Sequence, residues 1–286
     1  MRVRVKVERH AKTAPSVNYI NMESRSAEPA AAQPNPLLHV LMQAQAALLG
    51  PKARPSVPLA SLLRSARPGD LLLFRNKLLR SVAQRLVTTS EWDHVAIVVR
   101  RPRHRLGGGS SGGSKKEEEQ RLCLLEAIAG GVLCFDLESR LREYGRDFAE
   151  CICWRPMHCE RTPEREAALA RFVAAVDRRA AFSNDFLAMA FTPRRAPPWV
   201  AAAAPAERFQ VEPAYFCSQL VCAAWRAAGL LPLHVQPASF WPGDCGARGA
   251  VEGWLVDGCS LGEESRLDWE DGGTLHVGVL ERNERE

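Results

Sequence analysis

The sequence lacks any long apolar run and any apolar segment at its start. None of its 286 residues falls in an uninterrupted apolar stretch of the roughly 18 to 20 residues that spans a bilayer, so we expect no transmembrane segment. Residues 1–9 (MRVRVKVER) lack the apolar core of a signal peptide. The Arg and Ser content nearby favours an organelle transit peptide only weakly, because Glu8 and Glu23 oppose it. We therefore expect a cytoplasmic protein.

The sequence also lacks a regular cysteine pattern and a strong excess of one charge. Nine cysteines are an odd number, and Cys151 and Cys153 have no second pair at metal-ligand spacing, which favours neither a disulfide framework nor a zinc site. We expect a reducing compartment and no metal or cofactor. The net charge is only +5, from 38 basic and 33 acidic residues, so we expect no nucleic-acid partner.

Composition divides the chain into segments. Residues 1–55 are rich in Ala, Pro, Gln and Ser, which predicts a disordered leader. A Gly/Ser-rich loop is inserted at 101–118, inside a domain predicted to span 56–260. Residues 261–286 should form a final strand, at 275–280, and an acid-rich tail. Nothing in the sequence indicates the oligomeric state.

The ordered part mixes short helices with short strands. The run 95–99 (VAIVV) is apolar throughout, so we expect a strand buried on both faces. Short strands joined by tight connections favour an α+β fold over a doubly wound parallel sheet. Further strands are predicted at 71–74, 122–127, 132–135 and 151–154, and helices at 58–66, 78–86, 137–144, 162–179 and 183–191.

Cys217 stands where a helix with an apolar face should begin. Leu220, Val221, Ala224 and Trp225 recur at helical spacing after it, and a glycine at 229 should end the helix. Unpaired N–H groups and the helix dipole would stabilise a thiolate in the first turn, and the same groups suit an oxyanion. Cys217 is thus a candidate nucleophile, whereas the other eight cysteines have the contexts of ordinary core or strand residues.

A nucleophilic thiol works best with an imidazole that accepts its proton and a third group that orients the imidazole. His94 opens the buried strand 95–99 and is our candidate base. Glu126 lies in the apolar strand 122–127, where an unpaired carboxylate would be costly, so it should contact His94. The alternatives are a structural or surface histidine and an edge-strand acid.

Three weaker candidates could line the cleft or the oxyanion site. Tyr215 could offer a hydroxyl, although a packed aromatic is the simpler interpretation, and Ser218 follows the nucleophile directly. Asp93 could tune the neighbouring imidazole, with an exposed acid at a strand end as the alternative. The backbone N–H of Cys217 is the oxyanion donor that we favour.

The order of these residues resembles the permuted NlpC/P60 group of YiiX/YaeF-like thiol hydrolases, in which the histidine precedes the cysteine. The resemblance covers about residues 58–245 and rests on four segments: 68–74 (PGDLLLF), 92–98 (WDHVAIV), 125–127 (LEA) and 215–221 (YFCSQLV). It implies a papain-like α+β fold with a small antiparallel β-barrel or sheet packed against the cysteine helix. It also implies Cys217 as nucleophile, His94 as base and Glu126 as the orienting group.

Three functions follow as hypotheses. The first is a cysteine hydrolase that cleaves an amide or ester in a small-molecule, peptide-like or lipid substrate through an acyl-enzyme. The second is acyl transfer to or from lipids, as in the lecithin:retinol acyltransferase relatives, although those carry an Asn-Cys-Glu-His type of motif where this chain has FCSQ at 216–219. The third is a non-catalytic binding protein on the same fold.

Overall fold

The computed structural model describes residues 53–101, 121–183 and 211–269, together with Val40. Within these ranges the chain is a mixed α+β structure. The predicted leader, the Gly/Ser-rich loop after Arg101, the helix at 183–191, most of the Ala/Pro-rich connection at 192–213 and the strand at 275–280 lie outside the described residues. No helix in the described ranges is both long and apolar enough to cross a membrane.

Seven strands form one open sheet, and in chain order they are β1 Ser56–Pro58, β2 Leu71–Asn76, β3 His94–Arg100, β4 Leu122–Ile128, β5 Gly131–Asp136, β6 Ala149–Arg155 and β11 Ser265–Asp268. Across the sheet their order is β1-β11-β6-β2-β3-β4-β5. Neighbouring strands are antiparallel except for the parallel pair β1 and β11. Of the barrel or sheet expected from the sequence, the described residues form the sheet, because the two outer strands β1 and β5 do not pair.

Two further strand pairs are only two residues wide. They are formed by β7 Met157–His158 with β10 Ser260–Leu261, and by β8 Ala181–Phe182 with β9 Ala214–Tyr215. The helices are α1 Leu59–Ser65, α2 Leu79–Thr88, α3 Leu137–Glu143, α4 Pro163–Val176 and α5 Cys217–Ala227. Helix α3 continues into a π-helical turn, Tyr144–Phe148, and three 3₁₀ turns follow α5 at Pro237–Ser239, Pro242–Cys245 and Ala250–Trp254.

Both faces of the central sheet are buried. In β3, Val95, Ile97 and Val99 pack with α4 and α5, whereas Ala96 and Val98 pack on the opposite face with α1 and α3. Successive side chains of a strand point to opposite faces, so a strand covered on both sides must be apolar at every position. This explains the uninterrupted apolar run of β3.

Helix α5 lies on the first of these faces and is buried along its length. The Trp225 indole donates a hydrogen bond to the Gly69 carbonyl at 3.0 Å, which ties the helix to the turn before β2. The helix ends as its sequence predicts, because Gly229 adopts a φ of +71°, a left-handed conformation that favours glycine after a helix. The C-terminal part of α5 is therefore fixed to the chain that leads into β2.

Candidate active site

Cys217 is the first residue of α5 and follows Phe216, which has the extended backbone typical of an N-cap position. The first bond of the helix runs from the Leu220 N–H to the Phe216 carbonyl at 2.9 Å. The N–H groups of Cys217 and Ser218 come before that bond in the chain, and the first N–H groups of a helix in general have no acceptor within the helix. Cys217 is only 2% exposed, and what it exposes faces a cleft.

His94 and Glu126 meet beside this thiol. The register that pairs Ile97 with Leu125 places His94 and Glu126 on the same face of the neighbouring strands β3 and β4. Glu126 Oε2 lies 3.1 Å from His94 Nε2, and the Cys217 thiol lies near enough to the His94 ring to raise the pKa of the imidazole. Since Nε2 faces the carboxylate, Nδ1 is the ring nitrogen left available to the thiol.

The Glu126 carboxylate is fully buried and has two further partners. The Tyr144 hydroxyl donates to Oε2 at 2.6 Å, and Arg140 Nε donates to Oε1 at 2.5 Å. Arg140 also binds Glu143 at 2.6 Å. Sequence reasoning missed Arg140 and Tyr144, although the cost of burying Glu126 signalled that more partners than one histidine were needed.

Electrostatics favour a charged His94 next to a charged Glu126. Burial by itself would lower the pKa of the imidazole, but the contacts with Cys217 and then Glu126 outweigh it and raise the pKa of His94 to about 10. Burial would likewise raise the pKa of the Glu126 carboxyl, but His94 and Arg140 bring it below its ordinary value. Burial raises the pKa of the Tyr144 hydroxyl, so it remains a hydrogen-bond donor to the carboxylate.

A cleft of about 650 Å³ opens over Cys217 and His94. Its volume suits a small molecule or one segment of a larger substrate. Its walls are mainly apolar, with charged groups limited to a few positions. The apolar side chains that line it are Leu78, Ala83, Val87, Ala127, Ile128, Ala129, Phe148, Phe182 and Phe216.

Asp93 is buried rather than exposed. Its carboxylate accepts hydrogen bonds from the Asn76 backbone N–H at 2.8 Å, from the Asn76 amide at 2.6 Å and from Arg85 Nη1. The Gln84 amide donates to the Asp93 carbonyl at 3.0 Å. These contacts fasten α2 to the ends of β2 and β3, so Asp93 fixes the backbone that carries His94.

Tyr215 and Ser218 have partners away from the thiol. The Tyr215 hydroxyl accepts a hydrogen bond from the Glu212 backbone N–H at 2.8 Å, and the ring packs against Phe172. The Ser218 hydroxyl donates to the Phe240 carbonyl at 2.6 Å. Both side chains are fully buried and neither lines the cleft, so their contacts fasten α5 to the surrounding chain.

The other cysteines lie outside this arrangement. Cys222, on the same helix, is fully buried, and burial raises the pKa of its thiol well above the ordinary value. Cys151, Cys159 and Cys259 are more exposed than Cys217, yet none of them lines the cleft. Among residues 53–101, 121–183 and 211–269, no three His, Cys, Asp or Glu side chains converge in a way that could hold a metal ion.

Comparison with known proteins gives distant structural likenesses alone. No family model matches the sequence, and no curated protein matches it. The crystal structure of metalloprotein YiiX from Escherichia coli O157:H7, DUF1105, is similar over 57% of this chain and 66% of that chain, with 16% sequence identity and a TM-score of 0.35. The chain thus spans just under two thirds of that structure. A likeness at this TM-score supports no argument about fold or function.

Proposed function

We propose that this protein is a cysteine hydrolase that cleaves an amide or ester bond through an acyl-enzyme, with Cys217 as nucleophile, His94 as acid and base, and Glu126 as the group that orients His94. The observation that carries the proposal is a continuous chain of contacts. It runs from the thiol at the start of α5 through the His94 ring to the fully buried Glu126 carboxylate, and the thiol and the ring both open on the cleft.

The chemistry follows from these contacts. His94 takes the thiol proton as the Cys217 sulfur attacks the carbonyl carbon of the substrate, and the negative charge that forms on the carbonyl oxygen is stabilised by the backbone N–H at the start of α5. The His94 imidazolium gives its proton to the leaving amine or alcohol, which leaves a thioester on Cys217. His94 then accepts a proton from water, the resulting hydroxide attacks the thioester, and the acid and the thiol are released.

Glu126 would act through His94 rather than on the substrate. It is fully buried and its Oε2 faces Nε2, so it keeps Nδ1 directed at the sulfur and balances the charge of the imidazolium. Arg140 and Tyr144 hold the carboxylate in this position. We assign both of them as positioning residues.

We also propose the family, the location and the limits of the domain. The order of His94, Glu126 and Cys217 supports a permuted NlpC/P60, YiiX/YaeF-like protein with a papain-like fold. Its catalytic domain, expected at 56–260, would also include β11 at Ser265–Asp268, because that strand pairs with β6 in the central sheet. A cytoplasmic location agrees with nine cysteines at irregular spacing. Cys123, Cys134 and Cys153, which are buried, and Cys151, Cys159 and Cys259, which are less so, are all free thiols.

Thiol labelling tests the assignment of Cys217. The full chain is treated with a limiting amount of iodoacetamide at neutral pH, and the modified cysteines are identified by peptide mass spectrometry. If exposure alone governs reactivity, Cys151, Cys159 and Cys259 react first, since Cys217 is almost fully buried. We expect Cys217 to react first, because the adjacent His94 ring can take up the thiol proton as the sulfur attacks.

Two variants provide the controls. Cys217→Ala should abolish the fast labelling and any hydrolysis of a p-nitrophenyl ester, whereas Cys222→Ala, five residues further along the same helix, should retain both. Labelling of Cys217 that is no faster than that of Cys259 would refute the proposal.

Acyl transfer is the second candidate, because the apolar walls of the cleft suit the acyl chain of a lipid donor. The two reactions share the thioester and differ only in the acceptor, water or an amine or alcohol. Incubation with a phospholipid and a primary amine distinguishes them. Release of free fatty acid alone supports hydrolysis, and formation of an N-acyl amine supports transfer.

A further inference from the structure

Large exposed apolar side chains gather at the mouth of the cleft. Leu78, Val87 and Phe148 line the cleft and are 40%, 67% and 36% exposed, and Leu79 next to them is 46% exposed. In the described ranges, only Val40 and Val211 are other large hydrophobic side chains with comparable exposure. Exposed apolar residues that cluster rather than scatter are typical of a contact surface.

Helix α2 has its apolar stripe on the outside. Leu79, Ala83 and Val87 follow one another at four-residue spacing, so they share one face of the helix, and all three are exposed. The opposite face is buried and includes Val82 and Arg85. Surface helices normally turn charged and polar residues to solvent, so this outward apolar stripe is unusual for a protein that contacts only water.

The charge around this stripe has one sign. Residues 75–90 contain Arg75, Lys77, Arg80 and Arg85 and no acidic residue. Arg75 pairs with Glu150 and Arg85 with Asp93, whereas Lys77 and Arg80 are exposed and make no ion pair with any residue that the structure describes.

The acids on the other rim of the cleft are already paired with arginines. Glu143 binds Arg140, and Asp147 binds Arg146. Lys77 also acts electrostatically on Asp147, whereas Arg80 forms no ion pair with any acid that the structure describes. Lys77 and Arg80 are thus two exposed cations beside four exposed apolar side chains.

We propose that the mouth patch, formed by Leu78, Leu79, Val87, Phe148, Lys77 and Arg80, docks on the surface of an anionic lipid bilayer. Apolar side chains that enter the boundary between headgroups and acyl chains, with flanking Lys and Arg that attract anionic headgroups, are the two components of interfacial binding. Docking in this way places the cleft opening against the bilayer. An amide or ester carrying an acyl chain could then reach Cys217 without crossing water. The docking itself is independent of the reaction proposed above.

Vesicle sedimentation tests the docking. The full chain carrying Cys217→Ala, which removes turnover, is mixed with phosphatidylcholine vesicles or with phosphatidylcholine vesicles containing phosphatidylglycerol. We expect binding to the anionic vesicles that weakens as salt is added, since salt screens the attraction of exposed charges. On neutral vesicles we expect weaker binding. Because the assay needs no activity, its failure leaves the hydrolase proposal untouched.

Two variants and two matched controls locate the surface. Leu79→Gln/Val87→Gln should weaken vesicle binding about tenfold or more through the loss of two apolar anchors. Arg80→Glu should weaken it about fivefold or more, because each cation near an anionic surface contributes about that much. The controls are Val211→Gln and Arg171→Glu, which change an exposed apolar and an exposed basic residue outside the patch and should bind as the parent does.

Three results would overturn the proposal. The first is no binding to anionic vesicles, and the second is binding that the patch variants leave unchanged while circular dichroism shows them folded. The third is a concentration-dependent dimer in sedimentation velocity that Leu79→Gln/Val87→Gln dissociates, since the patch would then be an interface between two copies of the chain.

Discussion

Two buried carboxylates flank the candidate active site, and they differ in what they bind. Glu126 and Asp93 are each almost fully buried and each paired with a buried arginine, Arg140 and Arg85. The other side-chain partner of Asp93 is the Asn76 amide, which does not titrate. The other partners of Glu126 are the Tyr144 hydroxyl and the His94 ring, which contacts a thiol in a cleft.

The comparison shows that burial and ion pairing alone do not mark a catalytic acid. Both sites satisfy the same requirement, that a carboxylate inside a protein be paired and hydrogen-bonded. Of the two acids, Glu126 is the one that contacts a group able to exchange a proton with a nucleophile, the His94 ring. Replacing each acid should therefore separate a loss of chemistry from a loss of stability.

The largest effect on rate is expected for Glu126→Gln. The substitution keeps the shape of the side chain but removes the charge that balances the imidazolium, so hydrolysis of a p-nitrophenyl ester should fall about 10³-fold or more. Glu143→Gln is the matched control, because it removes the other carboxylate bound to Arg140 and should keep most of the rate. An equal loss of the esterase rate in both variants would show that Glu126 affects the rate through Arg140 and not through His94.

Asp93→Asn should lower the stability of the fold and leave the rate of the chemistry nearly unchanged. It leaves the buried guanidinium of Arg85 with Glu150 at 4.0 Å as its remaining carboxylate, so the free energy of unfolding should fall by about 3 kcal/mol. Urea denaturation followed by circular dichroism measures this. At a temperature where the variant is folded, the rate of Cys217 alkylation should stay within about threefold of the parent, which corresponds to about 0.6 kcal/mol. The reason is that the Asp93 carboxylate binds Asn76 and Arg85 rather than the thiol or the His94 ring. A larger drop would mean that Asp93 takes part in the chemistry.

The charge state of His94 gives a prediction in pH. Its pKa of about 10 in the folded chain exceeds the ordinary 6.5, so its charge stabilises the fold fully below pH 6.5, and that contribution is lost as the pH rises through about 10. Histidine-ring NMR should show His94 protonated at pH 8. Cys217→Ala should lower the pKa, because contact with Cys217 is the main influence that raises it. An unchanged titration in Cys217→Ala would mean that the thiol and the ring do not interact.

Tyr144→Phe should have the smallest effect in free energy. It removes the hydroxyl that donates to Glu126 at 2.6 Å, and one such bond contributes about 1 to 1.5 kcal/mol, so the esterase rate should fall about tenfold. Tyr215→Phe is the matched control, because its hydroxyl binds the Glu212 N–H and not the carboxylate. A rate loss in Tyr215→Phe as large as that in Tyr144→Phe would assign both effects to packing.

Some of this arrangement could be predicted from the sequence and some could not. The α+β class and the main strands follow from short apolar runs, and the pairing of His94 with Glu126 follows from the cost of an unpaired buried acid. The two-residue strands were missed because so short a segment has no periodicity. Asp93 could not be recognised as buried, because its partner Arg85 reaches it only once α2 packs against the sheet. The pairing of Arg140 with Glu126 could not be predicted either, because it forms only once α3 packs against the sheet.

The π-helical turn Tyr144–Phe148 links the inside of the site to its entrance. The Ala149 N–H bonds the Tyr144 carbonyl, five residues back, and the Tyr144 and Phe148 rings meet edge to face with their centroids 6.0 Å apart. At one end of this turn the Tyr144 hydroxyl donates a hydrogen bond to the Glu126 carboxylate, and at the other end Phe148 lies exposed at the rim of the cleft. A substitution in this short turn would therefore act both on the buried carboxylate and on the entrance to the cleft.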